Sequence, residues 1–194
     1  MPSARALASE FVEHLRRLNE EDRAAMACLR RSLSHEPGAY APAYPYVEPF
    51  VGQDDRSDSP RRMALYVTAG LFAMHPVEET GVHYAQALAE LMLEKESKSI
   101  EKRFIGLLES HPEDLHVHLR RATSLLAAER KGFDYTKLCR DLMRWYDIWR
   151  LTLSDRVRRK WARKFYSCLQ SDQGEAGGSS TGESKLGRKH GKVR

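Results

Sequence analysis

Apolar residues recur every three or four positions along most of the chain, and this spacing constrains the fold more than any other feature of the sequence. In the stretch LHVHLRRATSLL, residues 115–126, an advance of about 100° per residue places four apolar side chains on one stripe. They are Leu115, Leu119, Ala122 and Leu126. No segment of the sequence shows the strict alternation of a half-buried strand or a short hairpin turn. The sequence therefore predicts an all-α fold.

Proline and glycine divide the helical patterns into two parts. Residues 35–58 include the stretch EPGAYAPAYPYVEPFVGQDD, whose four prolines and lack of a sustained period predict an aromatic loop. Directly after it, Ser59 and Pro60 are the residue types that begin a helix at its cap and first position. We expect an N-terminal helical domain over residues 1–98 that contains this loop. A C-terminal basic helical bundle is expected over residues 99–170.

The last predicted helices end before a tail of different composition. Asp134 and Ser154 are predicted N-caps, and the final helix is expected to end near Leu169. From Ser171 onward the sequence is rich in glycine, serine and charge and has almost no apolar residues. Such a composition cannot bury enough apolar surface to fold, so residues 171–194 are expected to be disordered. The predicted architecture is two small helical bundles in one chain, with a disordered C-terminal tail.

Charge is distributed unevenly between the two predicted domains. The net charge of the chain is +5, but residues 1–98 hold 11 basic and 15 acidic groups, whereas residues 99–170 hold 16 and 9. A basic half of this kind favours a polyanionic partner, although a solvated surface can carry the same charge.

Cysteine usage and hydropathy indicate where the protein works. Cys28, Cys139 and Cys168 are widely spaced and odd in number, which is typical of reduced thiols in a cytoplasmic protein. The most apolar run, residues 63–77, spans only about 15 residues and contains a histidine and a proline, so it is too short for a membrane span. We therefore expect a cytoplasmic protein with no membrane contact.

Arginine pairs lie on the predicted solvent-facing sides of the helices. The triplet Leu-Arg-Arg ends at Arg17, at Arg31 and again at Arg121. In the last of these, helical phasing turns Arg120 and Arg121 away from the apolar stripe. Rows of arginine with few acidic partners suit phosphate backbones, because a planar guanidinium binds two oxygens and can also stack on a base. The alternative is surface charge on a stable bundle.

The next two helices repeat this arrangement. Arg140 and Arg144 fall on a stripe separate from the apolar positions of their helix. Those apolar positions are Leu138, Leu142, Trp145 and Trp149. The final helix adds a row consisting of Arg156, Arg159, Lys160 and Arg163. The basic residues of the second half therefore extend over three helices.

The sequence offers little for catalysis or metal binding. His111, His116 and His118 lack the i, i+4 spacing of a helical zinc site, and the last two cannot share a helix face. No Gly-rich phosphate loop or nucleophile elbow is present in the sequence. We predict that the protein is not an enzyme and has no cofactor or metal; an enzyme that uses these histidines is a competing hypothesis.

Seven segments of the chain are weak motifs one by one but form a specific ordered set. They read CLRRSL, YPYVEPFV, MALYVTAGLFAMHP, SIEKRFIGLLES, LHVHLRRATSLL, FDYTKLCRDLMRWY and VRRKWARKFY. This set resembles the CasB family, the small subunit of the type I-E CRISPR interference complex called Cascade. The resemblance implies an all-helical protein of two small bundles, with no catalysis of its own and two copies in a complex guided by crRNA.

The resemblance also implies partners and contacts. The partners are the crRNA, the target and non-target DNA strands, other Cascade subunits and a second copy of the chain. The protein would bind a backbone of any sequence, including the displaced strand of the R-loop, because guide pairing supplies the specificity. Carried over by position, the nucleic-acid contacts are Arg30, Arg31, Arg61, Arg62, Arg103, Arg120 and Arg121. Arg140 and Arg144 extend this surface on helical phasing alone.

A second hypothesis is a helical protein-interaction subunit whose arginines pair with acidic surfaces of a neighbour. The salt dependence of nucleic-acid binding separates the two hypotheses. Release of counterions from several phosphates makes nucleic-acid affinity fall steeply with salt.

Overall fold

The computed structural model describes residues 3–52, 56 and 58–176, and it describes side chains as far as residue 170. Within these residues the chain forms α-helices and two short 3-10 helices but no strand, so the predicted all-α fold is confirmed. The α-helices are α1 Ala4–Glu21, α2 Arg23–Ser32, α3 Tyr44–Val51, α4 Pro60–Met74, α5 Tyr84–Lys95, α6 Lys98–Glu109, α7 Leu115–Ala128, α8 Tyr135–Trp145 and α9 Leu151–Ala176. The 3-10 helices are Ala41–Ala43 and Ile148–Arg150.

Helix α4 lies at the centre of the packing. Every residue from Ala64 to Ala73 is buried, and the helix packs against α2, α3 and α8. Around it, α1 packs against α8, and α5 packs against α6 and α9. The hydrophobic core extends from Leu7 in α1 to Phe165 in α9. The division into domains at residue 98 stays a prediction, and the contacts of α8 with α1 and α4 cross it.

Two local features fix the position of α4. The Ser59 side chain accepts a hydrogen bond from the backbone N–H of Arg62 at 3.1 Å, and Pro60 occupies the first helical position, so the predicted start of this helix is confirmed. Further along, a Cβ at Gly70 would lie 2.6 Å from the Leu33 side chain. A larger residue at this position would force the Leu33 side chain or the two helices to shift.

The segment 35–58 is not the uninterrupted loop that the sequence predicts. It contains the 3-10 turn Ala41–Ala43 and the helix α3. Pro42 and Pro45 permit this because they stand at the beginning of these elements, where the missing N–H has no helical partner in any case. Pro49 lies inside α3, and burial of Val47 and Val51 offsets the hydrogen bond that it removes.

The connection between α8 and α9 also differs from the prediction. Helix α8 ends at Trp145, and the Asp147 side chain then accepts a hydrogen bond from the N–H of Arg150, which stabilises a new 3-10 turn. This break in helical phasing turns Trp149 into solvent, although the sequence places it in line with the buried Trp145. The predicted cap Ser154 lies inside α9 and is buried.

The predicted start of α8 is confirmed, but the predicted end of α9 is not. Asp134 caps α8 by accepting from the N–H of Lys137 at 2.9 Å, as predicted. Helix α9 continues to Ala176, past the predicted end near Leu169. Residues 177–194, the remainder of the tail for which disorder is predicted, lie outside the described residues.

A buried carboxylate joins three helices. Asp141 of α8 is 1% exposed and accepts a hydrogen bond from His83 Nε2 at 3.1 Å. It also accepts from Lys160 Nζ at 2.7 Å and from Trp161 Nε1 at 2.9 Å, both on α9. The other ring nitrogen of His83, Nδ1, accepts from the N–H of Ala85 at 3.2 Å and caps α5. The proton of His83 is therefore on Nε2, facing the carboxylate.

This environment keeps Asp141 charged and His83 neutral. Burial by itself raises the pKa of Asp141, but the hydrogen bonds from His83 and Lys160 outweigh it and lower that pKa to about 2. Burial lowers the pKa of His83 from its ordinary value of 6.5. The cluster thereby holds α9 against α5 and α8 with one buried negative charge and one lysine.

Candidate nucleic-acid interface

A groove of about 510 Å³ between α6 and α7 has basic side chains on both walls. Lys102 and Arg103 come from α6, whereas His118 and Arg121 come from α7. None of the described residues that line this groove is acidic. We call these four side chains and the space between them the α6–α7 groove.

The sequence places these residues in the groove because the opposite faces of both helices are buried. In α6 the buried positions are Ile100, Phe104 and Leu107, which leaves Lys102 and Arg103 outward. In α7 all four members of the predicted apolar stripe are buried, and both Arg120 and Arg121 are exposed. The predicted phasing of this helix is confirmed.

The cations of the groove are available to a ligand. The side chains of Lys102, Arg103 and Arg121 form no hydrogen bond or ion pair with another described residue. A concave surface lined by charge of one sign concentrates the electrostatic field and attracts counterions. An anion that enters this groove would meet two guanidinium groups and an ammonium group.

Arg120 diverges from Arg121 and reaches the C-terminal end of α2. Its Nη1 donates a hydrogen bond to the Leu33 carbonyl at 3.2 Å. Arg30 and Arg31 occupy the last turn of α2, where cations are favoured by the helix dipole. Arg30 Nε donates to the Ala73 carbonyl at 2.8 Å, which anchors its side chain. The structure therefore brings Arg30, Arg31 and Arg120 together around one helix end.

Arg62 is committed to contacts within the protein. Its side chain is 13% exposed and forms an ion pair with Glu48 of α3. It also donates to the Gly38 carbonyl at 3.2 Å, and its guanidinium lies over the rings of Tyr44 and Tyr66. These contacts hold the segment before α4 against that helix.

The other three predicted contacts lie on two different parts of the surface. Arg61 is half-buried in the first turn of α4. Arg140 is half-buried on α8, and its Nε is buried without a hydrogen-bond partner among the described residues. Arg144 is exposed and lines a groove of about 280 Å³ between α8 and α9. These residues do not share a site with the α6–α7 groove.

The predicted contact set omits several basic residues that the structure places in grooves. Lys102 and His118 line the α6–α7 groove. Along α9, further grooves are lined by Arg156, Arg159, Lys160, Arg163 and Lys164. Most of the α9 residues recur at intervals of three and four, so helical phasing could have placed them on the interface. No pattern in the sequence indicates that α6 and α7 lie side by side with Lys102 opposite His118.

The histidines considered for an enzyme do not form a cluster. His116 Nδ1 lies 2.8 Å from the Glu113 carbonyl oxygen, and His111 lies 3.8 Å from the Glu113 carboxylate. Among the described residues, no three metal-binding side chains are arranged to hold an ion. In the same part of the chain no helix is both long and apolar enough to span a bilayer.

The fold and the grooves define an all-helical protein with its basic surface on α6, α7 and α9. The chain belongs to the Cse2 family of CRISPR-associated proteins, since the model of that family matches residues 25–166. It is 37% identical over 168 residues to the CRISPR-associated protein Cse2 of Thermus thermophilus, a match that covers 84% of this chain and 92% of that relative. The resemblance to the CasB family is thereby confirmed.

Solved structures agree with this assignment. The crystal structure of CasB from Thermus thermophilus matches with a TM-score of 0.70 at 37% identity, over 82% of this chain and 97% of that one. A chain of a solved CRISPR RNA-guided surveillance complex has the same fold, with a TM-score of 0.73 at 23% identity, over 89% of this chain and 99% of that one.

Proposed function

We propose that this chain is a non-catalytic, nucleic-acid-binding small subunit of a crRNA-guided Cascade complex. Its role is to stabilise the crRNA and the target strand and to hold the displaced non-target strand of the R-loop. The α6–α7 groove carries this proposal, because its three cations from two helices lack acidic partners among the described residues. Guanidinium pairs of this kind bind phosphate oxygens well.

The proposed contacts are independent of base sequence. Apart from the basic side chains, the described lining of the groove consists of Gly106, Ala122 and Ser124, which offer little to distinguish one base from another. Contacts to phosphate position a strand without reading it. Such binding is what a guided complex requires, since base pairing with the guide supplies the specificity.

Different predicted contacts take different roles in this proposal. Arg103 and Arg121 bind phosphates in the groove. Arg31 and Arg120 extend the same basic surface around the end of α2, with Arg30 anchored beside them. Arg62 acts as a positioning residue, because its guanidinium is occupied by Glu48 and two tyrosine rings.

Arg61, Arg140 and Arg144 would contact nucleic acid from the other parts of the surface. Arg144 lines a groove that also contains Arg156 of α9. This second region lies between α8 and α9, whereas the first groove lies between α6 and α7. The two regions would hold one strand at two points or two strands at once.

The partners in this proposal are supported by the family and the fold. They are the crRNA, both DNA strands, other Cascade subunits and a second copy of this chain, and the protein works in the cytoplasm. Membership of the Cse2 family supports a role in CRISPR interference. The fold shared with a chain of a surveillance complex is consistent with assembly into such a complex.

A protein-interaction subunit is the alternative, and one observation favours it. Arg16 of α1 pairs with Glu78 at 2.7 Å, so a carboxylate already neutralises one of the arginines of this chain. On a partner, acidic surfaces would take the place of phosphates. Such an interface would also weaken with salt, but its strength would not depend on the presence of a nucleic acid.

Gentle affinity purification of the tagged chain from its native cells tests the proposal. We expect a uniform short RNA together with several stoichiometric protein partners. The R103A/R121A chain should recover less RNA, whereas an R17A/R23A chain that removes two exposed arginines from α1 and α2 serves as its control. Recovery of the protein alone and free of RNA, from cells confirmed to express the complex, would contradict the proposal.

A further inference from the structure

Trp149 is the most exposed large apolar side chain in the described part of the chain. It is 78% exposed, whereas Trp145 and Trp161 are fully buried. Its neighbours Ile148 and Leu151 are 49% and 68% exposed. An apolar cluster that a protein keeps in contact with water usually marks a binding surface.

The chain holds this cluster in one place. Residues Ile148–Arg150 form a 3-10 turn, which Asp147 caps at the N–H of Arg150 at 3.2 Å. Helix α9 begins at the next residue. Trp149 is therefore presented on an ordered turn, within two helical turns of Arg156.

Grooves along α9 begin at Thr152, three residues after Trp149, and neighbouring grooves share lining residues. The first, between α8 and α9, shares Arg156 with a second groove of about 740 Å³. The second shares Arg163 with a third of about 530 Å³, which Tyr166 also lines. We call this series of grooves the α9 track. From Thr152 to Tyr166 the helix rises by about 21 Å, a length that corresponds to roughly six stacked nucleotides.

The charges of the α9 track favour an anionic ligand. The side chains of Arg144, Arg156 and Arg163 form no hydrogen bond or ion pair with other described residues. Asp141 is the acidic residue that lines the first groove, and it is already paired with Lys160. A nucleic-acid strand along these unneutralised guanidinium groups would bring one phosphate for each base, whereas an apolar protein surface would leave them without counter-charges.

We propose that Trp149 stacks on a base of a single-stranded nucleic acid whose phosphates follow the α9 track. Aromatic side chains beside a positively charged groove are the common means of binding single strands of any sequence, because every base has a flat face. This inference rests on the proposed function and adds a base contact to backbone contacts.

Fluorescence anisotropy with the full-length chain tests the inference. Affinity is measured for a labelled oligothymidylate and for a deoxyribose-phosphate strand of equal length that has no bases. We expect Trp149→Ala to weaken binding of the first strand by about 5-fold or more, the usual loss when one stacking platform is removed. Binding of the strand without bases should not change. Leu151→Ala is the matched control, since it removes an exposed apolar side chain that is not aromatic.

Each outcome supports or overturns the inference. A loss for W149A that depends on bases, with L151A close to wild type, supports it. Quenching of the tryptophan emission of the wild type by oligothymidylate adds to this support, because the other two tryptophans are buried. Equal affinity of W149A and wild type for oligothymidylate would overturn the inference and leave the apolar cluster to a protein partner. Equal losses of W149A affinity for both strands would also overturn the inference. A wild-type chain that binds neither strand would overturn the proposed function as well.

Discussion

Lys160 and Asp141 form an ion pair that fixes α9 against α8, with Nζ 2.9 Å and 2.7 Å from the two carboxylate oxygens. Asp141 is 1% exposed, whereas the side chain of Lys160 is 34% exposed. The pair therefore spans the boundary between the core and the basic surface of α9. Packing in this region decides where the cations of α9 are presented.

Substitution of Asp141 should destabilise the fold. Asp141→Asn removes the charge that Lys160, His83 and Trp161 share and leaves donors without a full set of acceptors. We expect a loss of about 2–4 kcal/mol in the free energy of unfolding, measured by urea denaturation. The exposed Asp155 of α9 provides a control, since D155N should change stability by no more than about 0.5 kcal/mol. Equal stability of the two variants would contradict the role given to this cluster.

Stability should fall as the pH drops below about 6.5. Burial lowers the pKa of His83, so in this range the unfolded chain binds a proton that the folded chain excludes. The pKa of His14 is lowered by burial as well, which adds to the effect. Near pH 4 and below, the unfolded chain also protonates Asp141, whose pKa in the folded chain is lowered from 3.8 to about 2, and this removes further stability. Denaturation curves at several pH values measure this, and His83→Gln should make the upper part of the dependence shallower.

Alanine at position 70 should strain the contact between α2 and α4. The new Cβ would lie 2.6 Å from Leu33, so the helices or the leucine must shift. Such overpacking costs about 1–3 kcal/mol, which thermal unfolding can measure. If the cause is this clash, the cost of G70A should be smaller when Leu33 is also alanine. An unchanged melting temperature for G70A would show that the two helices are not so tightly packed.

Arg62 should control the stability of the fold, whereas Arg103 should control the binding of a single strand. Arg62→Ala breaks the ion pair with Glu48 and the contacts with two tyrosine rings, so we expect a loss of about 1–3 kcal/mol in stability. Arg103→Ala should leave stability within about 0.5 kcal/mol of wild type and weaken single-strand binding, since its side chain contacts no described polar partner. Denaturation and binding measured on both variants separate these roles. A stable R62A chain with reduced affinity would instead make Arg62 a direct contact.

The fold could be predicted where helical periodicity is continuous. The buried stripe of α7, the start of α4 at Ser59 and the cap of α8 at Asp134 all follow from local residue types. Periodicity failed where a short element interrupts a helical phase. Trp149 is the clearest example, because the 3-10 turn after α8 rotates it out of the stripe that Trp145 follows.

The candidate site could be predicted only in part, because its residues come from separate helices. The sequence identifies Arg103 and Arg121 through a resemblance to a family, and helical phasing places Arg120 and Arg121 in solvent. It does not indicate that Arg103 and Arg121 line one groove, nor that Arg62 is occupied by Glu48. These facts depend on how distant parts of the chain pack.

The salt dependence of single-strand binding by the R103A/R121A chain tests the central claim most directly. Each phosphate contact contributes about 0.7 to the slope of log affinity against log salt, so losing two contacts should reduce the slope by about 1.4. R17A/R23A removes the same charge from a surface away from the α6–α7 groove and should keep the wild-type slope. Equal slopes for all three chains would show that the groove does not bind the backbone, which would contradict the proposed role of Arg103 and Arg121.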